Sequence, residues 1–160
     1  MKIRSIEVKD FEVFRRLFEE AYVEYLELLK HKNLQQYQKE KQEKREVTRA
    51  RFNFYLKTGS SFVAEENGKV VGYIASQTTC FMHGADKLLW IEYIVVRPDF
   101  RRSGIGFALL RKLIDYATNS GVELIYTTIN PVNEASIKLH LKAGFDIRDR
   151  KAAYYRIIHQ

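Results

Sequence analysis

The segment Leu88-Leu89-Trp90-Ile91-Glu92-Tyr93-Ile94-Val95-Val96 is a nearly unbroken apolar run, and it passes directly into Arg97-Pro98-Asp99-Phe100-Arg101-Arg102-Ser103-Gly104-Ile105-Gly106. A run of this length and β-branched content reads as a strand buried on both faces. The turn that follows is basic and carries glycines. Beyond it Leu109, Leu110, Leu113, Ile114 and Ala117 recur at helical spacing. Strand, glycine turn and helix aim backbone N–H groups and the positive end of a helix dipole at one spot, which is how a protein holds a phosphate. One charge, Glu92, interrupts the apolar run. A carboxylate beside an anion site points to an enzyme.

The turn matches neither GxxxxGK[ST] nor GxGxxG, so the usual nucleotide motifs do not apply. Gly104 and Gly106 permit positive φ and close backbone approach, and Arg101 and Arg102 add charge-assisted donors at the same place. From these residues alone, an ordinary strand-to-helix turn with solvated arginines stays open.

Val-Val-x-Pro-x-x-Arg-Arg-x-Gly-Ile-Gly, from Val95 to Gly106, resembles the acetyl-coenzyme A loop of the GCN5-related N-acetyltransferases, whose core is [R/Q]-x-x-G-x-[G/A]. Arg101, Gly104 and Gly106 fill its specified positions. Downstream, Asn133 to Phe145 (NEASIKLHLKAGF) is similar to the family's N-x-x-A/S-x-x-L-Y-x-x-x-G-F helix. Both motifs occur in the family's order and at its usual separation; the resemblance covers roughly residues 61 to 158 by motif, and the amino-terminal part only by length and pattern. The resemblance implies acetyl-CoA as co-substrate and an amine-bearing acceptor, small molecule or protein. It also implies an α/β fold with a mixed, splayed central sheet.

Composition agrees with a globular chain. At 160 residues, 46% hydrophobic and 29% charged, it reads as a single domain over residues 1-160, and the resemblance implies that this is an N-acetyltransferase domain. No apolar stretch approaches the roughly 18 to 20 residues of a membrane span, and the amino terminus lacks a signal-peptide core. No membrane contact is expected, and the expected location is cytoplasmic. A lone cysteine, Cys80, excludes an internal disulfide and argues against a cysteine-rich metal site; no metal is expected. The net charge of +7 raises nucleic acid as a partner. The excess between Lys30 and Arg51 is interleaved with acids, however, and reads as a solvated helix face. A basic bias also steers a polyphosphate co-substrate. A homodimer stays open.

Pattern along the chain predicts a strand over Lys2 to Val8, then a helix capped by Asp10 and running to about Leu29. Asn33 with Gln36 forms a capping box for one long helix ending near Thr58-Gly59. Strands Ser61 to Glu66 and Lys69 to Gln77 meet at the hairpin signal Asn67-Gly68. Leu88 to Val96 is the central strand, Gly104 to Ser120 a helix, Leu124 to Ile129 a strand and Asn133 to Ala143 a helix. A hairpin of Phe145 to Arg150 and Ala152 to Ile158 closes the order β-α-α-β-β-β-α-β-α-β-β.

Acetyl transfer to an amine needs a base, because alkyl amines are protonated at neutral pH. Glu92, alone in an apolar strand where desolvation raises a carboxylate pKa, is the candidate. A strand-end glutamate paired to a basic neighbour is the alternative. The resemblance implies a bulged central strand whose freed N–H groups at Ile94, Val95 and Val96 bind the thioester oxygen and pantetheine. It places the diphosphate on Arg101, Arg102, Ser103, Gly104, Ile105 and Gly106, with Asn133 and Ser136 also on the cofactor side. At His140 the chain departs from the family's tyrosine acid. Asn133, Ser136 and His140 share one helix side, so the imidazole is placed to face the same cleft. Tyr154, Tyr155, Tyr126 or water are the replacements. Tyr22, Tyr25 and Tyr55 lie on helices that in the family border the acceptor. A second class of function is a degenerate member of this fold that binds CoA or a protein without turnover.

Overall fold

The computed structural model describes residues 1–43 and 45–154. Strands β1 (Lys2–Ser5), β2 (Phe62–Glu66), β3 (Lys69–Met82), β4 (Ala85–Val96) and β5 (Leu124–Thr127) form one sheet in the order β1-β2-β3-β4-β5. All neighbours are antiparallel except β4 and β5. Helices α1 (Phe11–Lys32) and α3 (Arg49–Thr58) cover one face, and α4 (Ile105–Asn119) covers the other. The expected mixed α/β sheet is therefore present.

The face under α1 and α3 is aromatic: Phe14, Phe18, Phe52 and Tyr55 meet Val63, Tyr73, Ala75 and Val95. Under α4 the contact is aliphatic, with Leu109, Leu110 and Leu113 on Ala64, Ile74, Leu89 and Ile91. Burying each such side chain contributes about 1.5–3 kcal/mol of transfer free energy.

Local signals held where the chemistry is local. Asn67 and Gly68 both adopt positive φ at the β2–β3 turn, as a two-residue hairpin requires. Asn33 accepts from the Gln36 N–H at the start of α2 (Leu34–Glu40). The single long helix expected from Asn33 to Thr58 is broken, however. Val47 is buried in the aromatic core, and Thr48 caps α3 through the Arg51 N–H. Anchoring an apolar residue outside helical register outweighs continued helix propensity. Asp10 precedes α1 but does not cap it; its carboxylate takes the Arg4 guanidinium and the Glu7 N–H instead.

Two features of β4 open a cleft. Ala75 pairs with Tyr93 but Ser76 pairs with Ile91, so Glu92 is the extra residue of a β-bulge. Pairing with β5 ends at Ile91–Thr127, and among the described residues Glu92 to Val96 have no strand partner on that edge. The hydroxyl of Thr127 donates to the Ile91 carbonyl at 3.0 Å where the strands part.

Beyond α5 (Glu134–Lys142), residues Phe145 to Arg150 carry no strand, which corrects the first half of the expected terminal hairpin. In the second half, 152–154 form no ladder and 155–158 lie outside the described residues. Among the described residues, no helix is long and apolar enough to cross a membrane, and no cluster of histidine, cysteine and carboxylates fits a metal.

Candidate active site

The open edge of β4 offers donors at defined positions. The Arg97 N–H bonds the Val71 carbonyl on β3, and strand groups alternate sides. Val95 therefore also turns its N–H to β3, and only Ile94 and Val96 present theirs to the cleft. This corrects the expected set: Val95 serves the core, 8% exposed.

The same edge runs into the basic turn. Side chains of Asn33, Thr48 and Asn133 cap α2, α3 and α5. At α4 the cap residue is Gly104, at φ 87° and with no side chain to cover the first turn. Among the described residues, the backbone N–H groups from Arg102 through Phe107 meet no protein acceptor. Arg102 itself sits at φ 60°, so successive donors curl into a concavity suited to an anion. Gly106 lets α4 approach α5 closely, since a Cβ there would stand 3.3 Å from the Leu139 side chain. Arg101 is occupied elsewhere: its Nε donates to the Val96 carbonyl at 2.9 Å and its guanidinium pairs with Glu24 of α1. Backbone donors, not this arginine, face the anion position.

Glu92 is not the isolated carboxylate its sequence context suggests. The bulge turns it toward α3, where Tyr55 donates to Oε2 at 2.8 Å and the Gln77 amide donates to Oε1. Burial, then the adjacent carboxylate, pushes the Tyr55 phenol well above its usual value, so it stays a proton-bearing donor. Tyr93, next to Glu92, lies edge-on to Phe18 at 4.8 Å. Neither Gln77 nor the pairing of Tyr55 with Glu92 was foreseeable from motifs. Across the cleft mouth, Asn130 donates to the Tyr25 hydroxyl at 2.9 Å, tying the β5–α5 loop to α1.

A sequence model of the acetyltransferase (GNAT) family matches residues 14–145, most of the chain. The chain belongs to that family. An uncharacterized N-acetyltransferase of Methanocaldococcus jannaschii is 27% identical over 98% of this chain, and the chain spans 65% of that relative's length. The [ribosomal protein bS18]-alanine N-acetyltransferase of Escherichia coli is 30% identical over 59% of this chain and 60% of its own. Among solved structures, an aminoglycoside N-acetyltransferase in complex with CoA superposes with a TM-score of 0.73 at 21% identity, covering 98% of this chain and 100% of that one. At that identity the likeness shows the GNAT fold alone.

On the GNAT scaffold His140 is placed differently from expectation. It keeps the same helix side as Ser136 but is 2% exposed. Nδ1 lies 2.8 Å from the Ser136 carbonyl, which only accepts, so Nδ1 carries the proton and Nε2 is left as a lone-pair acceptor. Among the described residues Nε2 is buried without a partner, and the ring meets Phe145 edge-on at 5.0 Å. Burial lowers the His140 pKa, and the Ser136 bond opposes this. The expected acid is thus a neutral ring with no proton to give at Nε2. Of the replacements, Tyr154 is exposed, Tyr126 packs on His83 at 4.5 Å, and Tyr155 lies outside the described residues. Asn133 Oδ1 accepts from the Ser136 N–H at 3.1 Å, which commits that atom to capping α5.

The lowered pKa has a consequence for stability. The native state favours the neutral ring, while the unfolded chain takes up a proton below its value of about 6.5. Stability is therefore lost as pH falls through that value toward the lower native one. The urea midpoint of the wild type should drop more between about pH 7.5 and about pH 5.5 than that of His140→Gln. Equal slopes for the two proteins would show that His140 does not titrate as described.

Proposed function

We propose that residues 1–160 form one N-acetyltransferase domain that moves the acetyl group of acetyl-CoA to an amine acceptor by direct attack. The observation that carries this is the continuity of open donors: Ile94 and Val96 on the parted edge of β4 lead straight to the uncapped N–H groups of Arg102 to Phe107. The former suit a thioester oxygen and pantetheine, and the latter a diphosphate. Glu92, held by Tyr55 and Gln77 at the head of this edge, takes a proton from the amine directly or through water as nitrogen attacks the thioester carbon. The C–S bond then breaks and sulfur departs as thiolate. A thiol with a pKa near that of cysteine, about 8.5, is stable enough as an anion to leave without a positioned acid, so the reading does not need one from His140. Support for an amine acceptor comes from relatives that include, beside the ribosomal protein alanine N-acetyltransferase, an aminoglycoside N(6')-acetyltransferase and an L-amino acid N-acyltransferase.

The test is release of CoA thiol from acetyl-CoA over a panel of amines, with products identified by mass. Release with at least one amine, above the rate of hydrolysis, is the expected result. CoA binding without release for any amine would favour the non-catalytic alternative. Gly104→Val should weaken CoA binding at least tenfold, or about 1.4 kcal/mol, because a branched residue at φ 87° displaces the turn. Calorimetry on the folded variant showing unchanged affinity would remove the turn from the cofactor site.

A further inference from the structure

Arg51 lies in the first turn of α3, where a cation opposes the helix dipole and no acidic residue is present to offset it. Nearby arginines are compensated. Arg49 pairs with Glu12 and lies over Phe11, and Arg45 pairs with Glu43 at 2.7 Å and with Glu40 at 3.6 Å. Arg51 meets no carboxylate among the described residues; its one hydrogen bond on the protein backbone goes to the Glu46 carbonyl at 3.3 Å. It is exposed and stands one helical turn before Tyr55, the residue that holds Glu92. It also approaches the Tyr93 phenol closely enough to oppose the effect of burial there. A guanidinium and a carboxylate thus share one wall of the site, bridged by two tyrosines and not neutralising each other.

The geometry points to an acceptor that carries a carboxylate as well as its amine, with Arg51 binding the carboxylate while Glu92 receives the amine. Arg51 acts here as a specificity residue, and the assignment rests on the acetyl-transfer reading above. A planar guanidinium with free N–H groups matches a carboxylate bidentately. Polycationic acceptors would instead meet an uncompensated positive charge at this wall. The occupant favoured is an amino acid, α or with its amine further from the carboxylate.

The experiment uses the full chain, acetyl-CoA, and a series of straight-chain amino acids from glycine and β-alanine to longer homologues, each beside its primary amide. Thiol release is measured for wild type and Arg51→Gln. For at least one chain length the free acid should exceed its amide in kcat/KM by about ten- to a hundredfold, the scale of a hydrogen bond to a charged group. Arg51→Gln should erase that preference by raising KM for the acid, while leaving the amide rate and CoA affinity unchanged. Acids and amides used equally by the wild type would overturn the proposal. So would an Arg51→Gln variant that slows both alike or weakens CoA binding. If no amine in either series or the wider panel releases thiol from wild type, the acetyl-transfer reading itself falls and this inference falls with it.

Discussion

Glu92→Gln should lower kcat/KM for amine acetylation near neutral pH by ~10² to 10⁴, the usual worth of a positioned base, and leave CoA affinity as it is. The substitution keeps size and keeps an acceptor for the Tyr55 hydroxyl, and the Gln77 amide can turn its oxygen toward the new NH₂ group. What is removed is the charge and the capacity to take a proton. Raising pH toward an alkyl amine's pKa, about 10.4 for a lysine-like group, supplies neutral amine without help. The variant should therefore recover part of its deficit as pH rises, and steady-state rates across pH for both proteins would show it. A variant with wild-type turnover at every pH would reduce Glu92 to a bulge residue and leave the base to water.

Phe14→Ala should cost about 3–5 kcal/mol of stability, the range for a fully buried aromatic. Against a typical total of about 5–15 kcal/mol, that is a large share. Phe14 is fully buried and stacks on Tyr73 with ring centroids 3.6 Å apart. It also packs edge-on against Phe52 at 5.3 Å and tilts over Tyr55 at 6.0 Å. No neighbour among these rigid rings collapses easily into the space left. Because Tyr55 is also the donor to Glu92, the folded fraction of the variant should lose turnover too. Urea unfolding gives the stability change; a loss below about 1 kcal/mol would mean that the aromatic cluster relaxes around the gap.

What the sequence disclosed was chiefly what is settled by near neighbours. The turn from Arg101 to Gly106 and the hairpin at Asn67-Gly68 depend on φ values that few residue types adopt, so their glycines announce them. The Asn33 cap was legible too, because its side-chain oxygen reaches an N–H only three residues on, whereas Asn133, expected at the cofactor, spends its oxygen on the Ser136 N–H. The break before α3 was not: Val47 looks like one more apolar residue in a helical pattern until a pocket for it exists. Likewise Tyr55 and Glu92 are separated by 37 positions, and only the packing of α3 on the sheet brings them together. His140 was placed on the right side of its helix by periodicity, but periodicity says nothing of how deeply that side is covered.

The bulge at Glu92 also bears on how this chain tolerates change in length. Before it, odd-numbered residues Leu89 and Ile91 face α4; after it, even-numbered Ile94 and Val96 do, while Tyr93 and Val95 turn to the aromatic side. β4 therefore changes parity once, at a single residue. Removing one residue there would not simply shorten the strand. It would straighten the bulge while Ile91, Ile94 and Val96 kept facing α4, whereas a deletion on either flank would turn the side chains beyond it to the opposite layer, trading aliphatic for aromatic surroundings. A nascent strand that kept every residue but paired without the bulge would meet that same mismatch, so the carboxylate position is also a counting mark that rejects the wrong register as the sheet assembles.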